Sequence, residues 1–331
     1  MQSALSAVQQ MYNDDLGGRL KKLEAPYEAS FPDSQPFVVR IDGVAFSTFT
    51  SGIVKPFDHR LKDAMVSVTK DLAVKFNPCL AYHHSDEISL VYAAAMPEKG
   101  DVYDDNGNKV VKQEEEVEEE RAVGAKTKKR RVVKKEHMYS GRIQKLASVI
   151  SSYASARLNY HLAQHDWSDR STKVQQRMTG HEAYFDGRVV PLPDLKTATE
   201  CIFWRSNFDG FRNSVSGIAQ HHFRHSELQN KNLPQLLELL STKNVNVMQT
   251  YGPKYLFGTW IKKEEYEVPV HELNLSAEAA KHVEDKGSVI RRRMRTGCFN
   301  WADYSEESRI RFVACKFWPK EEDGGPPKEP L

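Results

Sequence analysis

The 331-residue chain has only four cysteines, Cys79, Cys201, Cys298 and Cys315, and none belongs to a CxxC pair. Thiols this far apart suggest neither a thiolate zinc site nor a disulfide framework, and they suit a reducing compartment. Long hydrophobic runs are missing too. No stretch approaches the roughly 18 apolar residues that a membrane span needs. Met1 to Asn13 lacks a basic start and an apolar run, so no secretory leader is expected; it also lacks arginine, which counts against a mitochondrial one. The expected compartment is the cytoplasm or nucleus, with the mitochondrion kept open. Nor is one charge in excess: 47 Lys and Arg against 45 Asp and Glu leave +2, which neither demands nor rules out an RNA partner. What is there, 40% hydrophobic and 28% charged residues, is the composition of a globular chain with ample core.

Charge is patterned locally. Gln113 to Glu120 reads QEEEVEEE and Lys126 to Lys135 reads KTKKRRVVKK, within a stretch of little apolar periodicity between Met96 and Met138. We read residues 97–137 as a charged, disordered insertion. Its basic block either pairs with the acidic one or serves as a localisation signal or RNA contact. Residues 318–331, with Gly324-Gly325-Pro326-Pro327, read as a disordered tail. Residues 1–95 and 138–263 then form a catalytic domain with added helices, and 264–317 a C-terminal extension.

Hydrophobic periodicity supplies the elements. Phe37 to Ile41 is a β-branched run ending at Asp42-Gly43; Leu61, Met65, Val68 and Leu72 mark a helix over Asp58 to Lys75. Leu80–His83 and Ile88–Tyr92 read as strands around a Ser85-Asp86-Glu87 corner, and Ile143 to Tyr153 as a second helix. Ala183 to Val190 reads as a strand broken by an Asp186-Gly187 turn. The order is β-α-β-β-α-β, an α+β, ferredoxin-like unit. Further helices are expected from Asp194 to Arg205, Asn213 to Phe223 and Leu233 to Leu240, with a strand pair from Phe257 to Val268.

Asp42 ends the first strand and Asp86 sits between the second and third. Since the first and third strands of such a unit are commonly neighbours, both carboxylates can meet at one sheet face. Two hard carboxylates with a backbone carbonyl suit Mg²⁺, and a pair of such ions can clamp a phosphoryl displacement. Glu87 follows Asp86 directly, so in an extended corner it points the other way and orients another group. Asp-Gly and Ser-Asp-Glu are also ordinary turn sequences, so spacing alone leaves the matter open. His221, His222 and His225 have partial metal-ligand spacing but no completing ligands. The Arg291-Arg292-Arg293-x-Arg295 cluster suits either phosphate contact or a solvated strand edge. Arg142, Lys145, Arg205 and Arg212 are candidate RNA contacts.

Several motifs in order carry a resemblance. Arg40-Ile41-Asp42-Gly43 with Phe46, Phe49 and Thr50 resembles the RIDGxxFxxFT signature of the tRNA(His) guanylyltransferase superfamily. Lys55-Pro56-Phe57-Asp58 is similar to its KPFD segment, and His84 to Ser89 to its QSDExS segment. Leu16 to Lys21, Phe185 to Arg188 and Gly258 to Lys263 are similar to its LGDRMK, FDGR and GTxxK segments. Phe208 to Ser216 resembles the YDCxRNSVS block of the guanylyltransferase-like branch rather than the HINN block of the eukaryotic enzymes. Val44, His84, Gly18 and Gly210 depart from the family pattern; Val44 lacks a donor that Arg or His would offer there.

The resemblance implies a polymerase-like palm and template-dependent 3′–5′ nucleotide addition to the 5′ end of tRNA, in repair or editing. It implies two Mg²⁺ ions on Asp42, the Gly43 carbonyl and Asp86, with Glu87 supporting the catalytic site. Nucleotide contacts would come from Gly43, Val44, Ala45, Phe46, Lys55, Ser85 and Asn213. ATP, GTP and other NTPs would be substrates, a tRNA with a truncated or mismatched 5′ end the partner, and a homotetramer the assembly. A tRNA(His)-specific guanylyltransferase and a weakly catalytic tRNA-binding paralogue are the alternatives, with a nucleotide cyclase more remote.

Overall fold

The computed structural model describes residues 15–96, 102–103, 109–110, 136–273, 287–321 and 325–326. A first helix, α1 (Leu16–Glu24), precedes strand β1 (Phe37–Gly43). A one-turn helix, α2 (Phe46–Phe49), and a long one, α3 (His59–Phe76), lead to β2 (Leu80–His84) and β3 (Glu87–Tyr92). Asp58 caps α3 by accepting from the Arg60 N–H at 3.0 Å, and Asn77 closes it in the left-handed conformation. Within the charged insertion, β4 (Val102–Tyr103) pairs with β5 (Lys109–Val110), which is more order than its composition suggests; the rest of 97–135 lies outside the described residues. Then come α4 (Ile143–Ala163), α5 (Thr172–Thr179) and β6 (Phe185–Pro191).

β1, β2, β3 and β6 make the expected βαββαβ unit. Two later strands, β7 (Thr259–Pro269) and β8 (Ser288–Gly297), extend it to a six-stranded antiparallel sheet of order β6-β1-β3-β2-β7-β8. Alternation along the strands sorts the two faces. Val39, Ile41, Ile88 and Leu90 bury against Met65 and Leu72 of α3 and Leu146 and Ile150 of α4. Val38, Leu80, Tyr82, Val91 and Trp260 face the other way, against α6 (Leu195–Trp204) and α9 (Glu306–Ala314). Each fully buried aliphatic side chain contributes about 1.5–3 kcal/mol, so covering both faces firmly fixes the strand ends between them.

Three sequence expectations are corrected. Asp186-Gly187 is not a turn: it runs through β6, opposite Asp42 and Ile41. Gly187 is small because α4 comes close; a Cβ there would lie 2.9 Å from the Ala147 carbonyl oxygen. Phe257–Val268 is no strand pair but the single strand β7, whose partner is β8. The two helices expected before and after residue 210 are one continuous run, α6, a π-helical turn over Arg205–Gly210 and α7 (Phe211–His222). A helix α8 (Leu233–Ser241) packs beside α7 around Val215, Ile218 and Leu240.

The expected limits also move. The boundary between 263 and 264 falls inside β7, so extension and catalytic unit share a strand. Trp318, read as tail, is buried, with its indole N–H donating to the Pro326 carbonyl at 3.3 Å. Composition marks the Gly-Pro run as unordered but cannot anticipate that Trp318 stacks under the Arg295 guanidinium, 4.4 Å away. Among the described residues no helix is long and apolar enough to cross a membrane.

Candidate active site

β1 delivers Asp42 to the sheet end where β2 turns into β3. The register puts Glu87 directly opposite Asp42, on the same face. The chain bends sharply beside both carboxylates: Ala45 and Ser85 have φ of 55° and 53°, a left-handed conformation uncommon in residues other than glycine. These bends place Asp86 at the mouth of a cleft of about 340 Å³. The cleft gathers Phe46, Lys55, Ser85 and Asn213 from four separate segments. Gly43, Val44 and Ala45 form the adjoining turn, where the Val44 N–H donates to the Tyr184 carbonyl at 3.0 Å.

The carboxylates are not alike. Burial pushes the Asp86 carboxyl above the usual range, and the negative charges of Asp42 and Glu87 push the same way. Among the described residues, neither Asp42 nor Asp86 has a cationic side-chain partner. Glu87 does: Arg40 Nη2 lies 2.9 Å and Arg205 Nη1 3.2 Å from it. Arg205 continues to Asp209 at 2.8 Å, and Asp209 to Arg212 at 2.5 Å. An alternating ladder, Arg40–Glu87–Arg205–Asp209–Arg212, thus ties β1 and β3 to the π turn. It leaves Asp42 and Asp86 as the uncompensated pair.

No three His, Cys, Asp or Glu side chains among the described residues form a ready metal cluster. A cation here would take Asp42, Asp86 and the Gly43 carbonyl, and water or phosphate oxygens for the rest. Hard oxygen donors carrying unneutralised charge suit Mg²⁺ rather than a soft ion. The donor set therefore fits the ion that the motifs imply.

The cleft has parts that motif reading missed. Lys62 and Lys254 join Lys55 in lining it. Phe57 stacks on Tyr255, with centroids 4.6 Å apart and planes at 12°. Nothing in the sequence flagged Lys254-Tyr255, which comes from a one-turn helix, Pro253–Leu256, far along the chain; Lys62 was concealed as one polar position of an amphipathic helix. His84 sits below the cleft. Burial, with the Lys62 charge, lowers its imidazolium to about 4, so the ring is neutral. The Ser214 hydroxyl donates to the Tyr255 carbonyl at 2.6 Å, and His84 Nε2 in turn meets Ser214 Oγ at 2.9 Å. The relay joins β2, α7 and the segment before β7, three walls of one cleft.

The four proposed tRNA-contacting residues divide. Arg205 and Arg212 belong to the ladder just described. Arg142 and Lys145 lie at the start of α4, in the opposite layer; Arg142 is 3.5 Å from Glu28 and the Lys145 ammonium 5.7 Å from the centre of the Tyr139 ring. In the Arg291–Arg295 cluster, Arg292 pairs with Glu265, and Arg293 and Arg295 with Glu264. His222 faces the Tyr251 hydroxyl at 3.4 Å.

Comparison with known proteins gives a consistent picture. A family model described as tRNAHis guanylyltransferase, Thg1, matches residues 17–193. An uncharacterized protein of Acanthamoeba polyphaga mimivirus, R259, is 29% identical over 266 residues, 78% of this chain and 81% of its own. A bacterial tRNA(His) guanylyltransferase-like protein solved in complex with ATP superposes with a TM-score of 0.56 at 27% identity, over 75% of this chain and 88% of its own. A bacterial guanylyltransferase-like protein solved with GTP gives 0.56 at 23%, over 89% and 98%, a likeness of fold. The mixed architecture with its antiparallel sheet is the palm of these neighbours.

Proposed function

The chain belongs to the tRNA(His) guanylyltransferase family, and from that premise we propose that it restores missing nucleotides at the 5′ end of tRNA, in the 3′–5′ direction and under the direction of the opposite strand. As a family member it is a nucleotidyltransferase whose reaction is guanylyltransferase-like nucleotide addition. The observation that carries the proposal is the cleft itself: Asp86, on which the Asp42 charge acts, lines a pocket with three lysines and a stacked aromatic pair. That is a triphosphate end beside a base end. The Arg212-Asn213-Ser214 block supports the repair branch, since Asn213 lines the cleft and Ser214 anchors its floor.

In this reading a tRNA 5′-monophosphate is first joined to AMP from ATP, with loss of pyrophosphate. The 3′-hydroxyl of an incoming NTP then attacks that phosphate and AMP leaves. Asp42, the Gly43 carbonyl and Asp86 would hold Mg²⁺, which supplies charge neutralisation at the triphosphate and at the attacking and leaving oxygens. Lys55, Lys62 and Lys254 bring fixed positive charge to the phosphates. Phosphoryl transfer asks a protein chiefly for position and charge, and these groups supply both. Glu87 acts at one remove, holding Arg40 and Arg205 in register. ATP, GTP and other NTPs would be the substrates, the enzyme a homotetramer working in the cytoplasm or nucleus.

The test offers single NTPs to two substrates, a tRNA lacking its first 5′ nucleotide and a tRNA(His) lacking only its extra guanosine. Addition confined to the base that pairs with the opposite strand is expected. Untemplated guanosine addition confined to tRNA(His) would replace this proposal with a tRNA(His)-specific one.

A further inference from the structure

The α6–π–α7 run shows solvent two large aromatic side chains that no core uses. Trp204 is 48% and Phe208 58% exposed. With Arg212, whose side chain is 60% exposed, they recur every fourth residue across the π turn. Such recurrence sets them along one side of the helical run. The stripe borders the site at both ends. Trp204 carries the Arg205 guanidinium 4.8 Å from its ring centre, and that arginine pairs with Glu87 opposite Asp42. Arg212 is followed by Asn213, which lines the cleft.

We propose that Trp204 and Phe208 form a stacking platform for unpaired nucleotides of the RNA substrate, with Arg212 meeting the backbone phosphate beside them. The inference rests on the functional reading above and adds where the unpaired part of the substrate lies. Aromatic faces interleaved with arginine match an unpaired strand, whose bases offer flat apolar faces and whose backbone is anionic. A protein partner would match the two rings equally well, but not their place beside Arg205 of the ladder and next to the cleft-lining Asn213. Rings at the surface here also serve the chemistry. A strand missing its 5′ nucleotide leaves the opposite base unpaired beside the reaction, and that base must be held still.

Intrinsic fluorescence tests this directly. The other tryptophans, Trp167, Trp260, Trp301 and Trp318, are at most 4% exposed, so acrylamide quenching under tryptophan-selective excitation reports on Trp204. An RNA hairpin with a short unpaired 3′ overhang should shield Trp204, and its blunt counterpart should not. Trp204→Ala or Phe208→Ala should weaken binding of the overhang hairpin about tenfold while leaving the blunt hairpin unchanged. Trp204→Phe should restore most of the loss. Undiminished quenching of the wild-type protein saturated with the overhang hairpin would overturn the proposal, as would unaltered overhang affinity in a folded Trp204→Ala variant. So would shielding that grows with protein concentration in the absence of RNA, which would assign the stripe to a second copy of the chain. The readouts need no turnover. Shielding without nucleotide addition would contradict the functional reading alone, and normal addition with normal overhang binding in Trp204→Ala would contradict the platform alone.

Discussion

Gly210 and His84 show how single residues set this site. A Cβ on Gly210 would lie 2.8 Å from the Arg205 carbonyl oxygen and 3.1 Å from His84 Cγ. The two departures from the family pattern are therefore one packing solution, a wide ring beside an absent side chain. Gly210→Ala should cost about 1–3 kcal/mol by overpacking, read as a fall in the urea midpoint. His84→Ala in the same chain should recover part of it, and independent effects would contradict the coupling. His83, one residue earlier, points to the other face, fully buried with neither ring nitrogen bonded. Burial, then the charges of Lys62 and His84, hold its imidazolium well below the usual range. The unfolded chain therefore takes up a proton below about pH 6.5 that the folded chain refuses, and stability falls as pH drops. His83→Leu should remove up to about 1.4 kcal/mol per pH unit of that slope, and an unaltered slope in denaturation curves would contradict the assignment.

Elements were legible where one face repeats and illegible where packing decides. α3 was bounded within a residue because Asp58 caps it and its apolar stripe is unbroken. The break expected at Gly187 failed because a glycine that admits a helix looks, in sequence, like one that makes a turn. The π turn escaped notice since its extra residue shifts the periodicity without interrupting it. Arg291 to Arg295 left phosphate contact and a solvated strand edge both open, because the opposing acids of β7 lie over twenty residues away in sequence. In the sheet Glu264 and Arg295 are both buried and paired. Glu264→Ala should leave the buried Arg295 without its paired carboxylate, costing about 3–5 kcal/mol. A loss under about 1 kcal/mol in equilibrium unfolding would show that the pair acts as an exposed one.

At the scale of the whole molecule, the helices that cover the second face of the sheet also build the site. The π turn and α7 bring Arg205, Asn213 and Ser214 to strand ends that a bare βαββαβ unit would leave open. The carboxylates were visible in the sequence because β1 and the β2–β3 corner carry compact motifs. The lysine and aromatic lining was not, because it is assembled from distant segments. The central claim is that Asp42 and Asp86 form the reactive centre. The most direct measurement is single-turnover nucleotide addition to a 5′-triphosphorylated tRNA lacking its first nucleotide, which needs no activation step, by Asp42→Asn and Asp86→Asn. Both variants should fold and bind the RNA while the rate falls more than about a hundredfold, about 3 kcal/mol of transition-state stabilisation. A rate within a few-fold of the unaltered enzyme in either variant would contradict it.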